Sequence, residues 1–252
     1  MSDTYLLNVS TSQLNGVNGQ THDFNVIYTN LNLDPNKEYV LGLKSYSMWY
    51  SWFNVSTDNN NNAFRFSIDN GATFIDVVLP DGNYSLSDIN QAIDSLVVSQ
   101  GGVTGSIDFQ PNYNTLRVEL TLAANYQVDF QPANSLRILL GFASQIYTAA
   151  FTSGPLIPNI TNSVDAININ CSLLNSNNNL INNTPSQTLY QFVPQTSVGT
   201  NLSEQISQIT FLPISNSGSI NSMRFFVTDQ NLNILNLQGE NISLSLVLKA
   251  ID

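Results

Sequence analysis

Charge is scarce in this sequence: Asp, Glu, Lys and Arg together make up 10% of its 252 residues. Bases are scarcer still. The seven Lys and Arg (Lys37, Lys44, Arg65, Arg117, Arg137, Arg224 and Lys249) are scattered among 18 acids, for a formal net charge of −11. No basic stripe exists to neutralise phosphates or anionic headgroups, so direct nucleic-acid binding and electrostatic membrane attachment are not expected. Long apolar runs are missing too. None approaches the roughly 18 residues of a membrane span, and the first ten residues lack the basic and apolar regions of a signal peptide. The expectation is a product made in a cytosol without membrane insertion.

The lone cysteine, Cys171, cannot form an intrachain disulfide, which agrees with a reducing compartment. With His22 as the single histidine, a zinc set lacks ligands and a hydrolase triad has only one candidate base. Neither a phosphate-binding loop nor a dinucleotide fingerprint is present. Asp58, Asn60, Asn62 and Asp69 stand at calcium-loop spacing, but Ala63 occupies the position that needs glycine and Asp69 the position of the bidentate glutamate. The expectation is therefore no cofactor, no metal and no catalysis.

What is abundant is neutral polarity alternating with short apolar stretches. Apolar residues reach 42%, and asparagine alone is about one residue in seven. Neutral side chains solvate a surface without charges that are costly to desolvate, so such a surface suits close packing against copies of itself. Period-two alternation dominates: Ile242, Leu244, Leu246 and Leu248 face one way and Ser243, Ser245 and Val247 the other. Phe64, Phe66 and Ile68, and Leu116, Val118, Leu120 and Leu122, repeat the pattern. Further strands are expected near Tyr5–Val9, Phe24–Thr29, Tyr39–Tyr46, Phe74–Leu79, Tyr126–Phe130, Ala166–Leu174, Leu189–Val193, Ile206–Ile214 and Met223–Thr228. Asn15-Gly16, Asn18-Gly19, Asn70-Gly71 and Asp81-Gly82 supply turn signals between strands.

Two helices interrupt this all-β pattern. Ser85 with Asp88 reads as a capping box, Leu86, Ile89, Ile93, Leu96 and Val97 share one face, and Gly101-Gly102 ends the element. A shorter helix carries Leu136, Leu139 and Leu140, with Asn134 as its cap and Gly141 as its stop. The expected fold class is mainly β: an antiparallel jelly-roll β-sandwich of residues 1–62 and 143–252, with a small α+β insert at 63–142.

Specific strings carry a resemblance. Leu79 to Ile93 (LPDGNYSLSDINQAI), Tyr126 to Phe130, Ser135 to Phe142, Leu189 to Phe192, Ile209 to Ile214, and Phe225 through Asp229-Gln230 to Gly239-Glu240 resemble, in this order, the penton (vertex, minor capsid) proteins of virophages and Polinton-like viruses. The Pro-Asp-Gly-x-Tyr piece also resembles small α+β modules of phage tail fibres and flagellar hook-associated proteins. The resemblance implies a non-enzymatic structural protein of the virion, forming homopentamers at icosahedral vertices and surrounded by a double-jelly-roll major capsid protein. The rival reading is a viral or phage fibre whose β domain recognises glycans. Trp49, Tyr50 and Trp52, in an aromatic run from Tyr46 to Phe53, are candidates for a subunit interface, a sugar platform or the core.

Overall fold

A computed structural model of the chain describes residues 3–13, 22–160, 164–175, 180–181, 183–215 and 218–251. The chain divides into two compact units, Met1–Trp52 with Val164–Asp252, and Phe53–Ser163. The second unit contains the segment expected as an insert, 63–142, but starts earlier and ends later. Local bonding explains the wider bounds. Val55 and Gly82 exchange backbone hydrogen bonds, and the Asn54 amide donates to the carbonyls of Tyr84 and Ile160. A late strand, Phe151–Ser153, also pairs inside this unit.

In chain order the first unit begins with β1 (Thr4–Ser10), β2 (Asp23–Asn32) and β3 (Glu38–Trp49). The second holds β4 (Ala63–Ser67), β5 (Ile75–Val78), α1 (Leu86–Ser99), β6 (Ile107–Asn112), β7 (Arg117–Leu122), β8 (Gln127–Asp129), α2 (Arg137–Leu140), β9 (Ile146–Tyr147) and β10 (Phe151–Ser153). The first unit resumes with β11 (Ile167–Cys171), β12 (Leu180–Ile181), β13 (Thr184–Pro185), β14 (Thr188–Phe192), β15 (Asn201–Gln205), β16 (Leu212–Pro213), β17 (Ser219–Asp229) and β18 (Ser243–Ile251).

The first unit is a sandwich. One antiparallel sheet runs β1-β18-β3-β15, with β16 also on β3, and the other runs β14-β11-β17-β2. Leu244, Leu246 and Leu248 from the first sheet share one core with Ile167, Ile169, Phe225 and Val227 from the second. Along β3 the inward residues are Leu41 and Leu43, then Tyr46 and Met48, so the alternation changes phase. A bulge causes it: Ser245 and Leu246 of β18 oppose Ser45 and Leu43, which leaves Lys44 as an extra residue. Its carbonyl accepts the Ile206 N–H instead, at 2.9 Å.

The continuous strand expected at Ile206–Ile214 is a correction. Pairing occurs earlier, at Asn201–Gln205, and resumes at Leu212–Pro213, with Ile214 bridging Leu174. The stretch between them packs on β3 at Gly42, where an added Cβ would collide with the Ile209 side chain and crowd that of Phe211. Apolar content there serves side-chain contact rather than a ladder.

In the second unit, sheets β5-β4-β8-β9 and β10-β7-β6 share a core with α1. Ser85 caps α1 in a reciprocal box with Asp88, and Ile89, Ile93 and Val97 are buried on its inner face. Asn134 does not cap α2. Leu136 takes that position without a side-chain bond, while the Asn134 carbonyl accepts from Ala63. Gly141, at φ 77°, ends α2 as expected, and the Phe142 N–H returns to the Arg137 carbonyl. Asn70 and Gly71 both have positive φ, the requirement of a tight hairpin turn. Asp81-Gly82 forms a bridge to Val55 instead, and the turns at Asn15-Gly16 and Asn18-Gly19 lie outside the described residues.

Candidate functional site

The bulge at Lys44 decides what β3 presents outward, because it places Ser45, Ser47 and Trp49 on the solvent side of the sheet. Register then aligns two rows across four strands. Ser10, Ser243, Ser47 and Ser203 form one, and Asn8, Ser245, Ser45 and Gln205 the other. Every member of these two rows is neutral, and the first charge on the same side of β18 is Lys249, two rows beyond Ser245. Hydroxyls and amides of this face pair along the surface, Ser243 with Ser10 at 3.2 Å and Ser47 with Asn201 at 3.1–3.2 Å. Small side chains leave a depression of about 340 Å³ above β1, β18 and β3. Such a face can be covered at little desolvation cost, since no ion must be stripped of water.

The three aromatic candidates are separated by the fold. Trp49 stands at the end of the neutral face, opposite Asn201, and is 42% exposed. Tyr50 is half-buried and stacks on Trp52 with ring centroids 4.1 Å apart. Trp52 is 4% exposed and belongs to the sandwich core, which removes it as a surface anchor and corrects the interface expectation for that residue. The serine rows were not singled out from the sequence. Their signal was the alternation of serine with apolar residues at Ser45–Met48 and Ser243–Leu246, read there only as strand exteriors.

The other chemical candidates sit in structural roles. His22 is 8% exposed, its Nδ1 has no hydrogen-bond partner among the described residues, and burial lowers its pKa against the opposing pull of Asp23. Asp23 is itself engaged bidentately by Arg224, at 2.6 and 2.7 Å, which holds its carboxyl below the usual range. Cys171 is fully buried in the core, which pushes its thiol up to about 12. In the asparagine tract, Asn61 bonds to Ser56 and Asn54, and Asn62 to Thr57, Leu79 and Asp81. Asp69 accepts from Ser67 and Thr73. These side chains build the loop. Among the described residues no cluster of three or more His, Cys, Asp or Glu could hold a metal, and no helix is long and apolar enough to cross a membrane.

No protein-family model matches the sequence, and no curated protein matches it. In three dimensions the chain is similar to the crystal structure of the selenomethionine-labelled mavirus penton protein, at 14% sequence identity and a TM-score of 0.52. That match covers 99% of this chain and 100% of the other. The mainly β, jelly-roll-like fold is thereby shared from end to end.

Proposed function

We propose that this chain is a non-enzymatic structural protein of a virus particle, forming homopentamers at icosahedral vertices beside a double-jelly-roll major capsid protein. The observation that carries the reading is the end-to-end match to a penton protein, with neither chain leaving a domain unaccounted for. The uncharged serine and asparagine face supports it, because ring assembly brings one patch against a different patch on the next subunit and favours surfaces that are cheap to desolvate. Trp49 supplies an exposed aromatic at the margin of that face.

Light-scattering mass of the full chain at high protein concentration tests the reading. A species of five subunits, weakly dependent on salt, is expected, since few charges take part. A stable trimer would overturn it in favour of a fibre that recognises glycans.

A further inference from the structure

A second surface lies within the unit Phe53–Ser163 and takes no part in the serine face. Here the start of α1, the β6–β7 hairpin and the segment Ile157–Ile160 enclose a groove of about 670 Å³, within the usual range for ligand sites. Buried Phe109 and Val118 contribute to its lining. Along its rim Tyr113, Leu116 and Ile157 are 83%, 62% and 64% exposed, a concentration of apolar side chains that a free surface does not favour.

The rim is fixed. Asn90 accepts from the Phe109 N–H and donates to Asp108, and the side-chain Oδ1 of Asn112 accepts from the N–H groups of Asn114 and Thr115 to hold the hairpin turn. That turn ends at Leu116 with φ 54°, a left-handed conformation that glycine adopts freely and leucine does not. An exposed leucine kept in this position puts its side chain on the groove at the expense of local backbone comfort. Charge is the other signal. On a chain with 18 acids and seven bases, the lining includes Arg117 and no carboxylate. Arg117 donates to the Pro155 carbonyl at 2.8 Å and forms no ion pair among the described residues. Glu119, two positions along β7, is already held by Asn112.

We infer that this groove docks a short apolar polypeptide segment of a partner that carries a carboxylate, with aliphatic side chains against Leu116 and Phe109 and the acid paired with Arg117. Guanidinium geometry suits a carboxylate. Strand addition is not the mode: the Phe109 N–H is taken by Asn90 and Pro111 has none, so the free edge of β6 lacks donors there. The open rim fits a peptide laid across the surface better than an enclosed acyl chain.

The test is panning of a displayed library of random seven-residue peptides on the full-length protein, with decanoate as competitor. Enriched peptides are expected to combine aliphatic residues with Asp or Glu. Their binding should fall at least tenfold in Leu116→Gly, whose thermal midpoint should equal or exceed that of the parent because glycine relieves the turn. Arg117→Glu should reverse the preference toward lysine-bearing peptides. No enrichment, enriched peptides indifferent to both substitutions, or complete displacement by decanoate would each overturn the inference.

Discussion

The two units bury apolar residues in different ways. In the sandwich, side chains from two sheets interleave, and two neighbouring rows on the outer face of one sheet are neutral serine, asparagine and glutamine. The second unit gathers Phe64, Phe66, Phe109, Phe130 and Phe142 around one centre, with Phe130 and Phe142 stacked 5.2 Å apart, and seals it with α1. Both units expose single apolar residues, Leu6, Ile27 and Val193 in the first among them, but in the second Tyr113, Leu116 and Ile157 gather along one groove. The contrast is between a neutral surface on the sandwich and an apolar groove on the second unit, and the two proposals above rest on one surface each.

Substitutions in each core sharpen that contrast. Ile93→Asp has the largest expected effect, because Ile93 is fully buried and the change removes packing while burying a charge. A loss of about 4 kcal/mol or more is expected, confined to the second unit, and read as the early loss of one transition in chemical denaturation. Leu246→Ala, fully buried in the sandwich, should cost about 2–5 kcal/mol and lower the other transition. If either substitution shifts both transitions equally, the units fold as one and the comparison fails.

Smaller effects probe local devices. Ser85→Ala should cost the second unit about 1 kcal/mol, since it removes one half of the capping box on α1. The pH response should differ between the units as well. His22 has a folded pKa below its ordinary 6.5, so its neutral form favours folding and its contribution is lost as pH falls below 6.5 toward that lower value. No other histidine exists in the sequence. From pH 7 to 5, then, a stability scan should show the sandwich weakening slightly and the second unit holding steady. Below 3.8 both should weaken, because Asp23 in one unit and Asp88 in the other have lowered carboxyl pKa values whose contribution protonation removes.

Much of this architecture was legible in the residues. The α1 helix declared itself because cap, apolar face and terminating glycines agreed, and β18 because nothing disturbs its alternation. Where long-range contact overrides local pattern, legibility fails. The Lys44 bulge reverses the phase of β3, so its outward residues follow only from pairing with β18. Leu116, which continues the alternation of β7 in sequence, sits in a left-handed turn instead. Trp52 and Trp49 look equivalent in the aromatic run, and only the packing of the sandwich buries the first and exposes the second. The serine rows were invisible for the same reason, since they exist only across four strands distant in sequence.

The most direct test of the central claim is symmetry-resolved particle imaging of the parent chain beside the double variant Ser47→Glu/Ser245→Glu, which puts two like charges on the neutral face. Fivefold rings in the parent, and single subunits of unchanged thermal midpoint in the variant, are the predicted result. Threefold particles in the parent, or rings that persist with both glutamates in place, would contradict it.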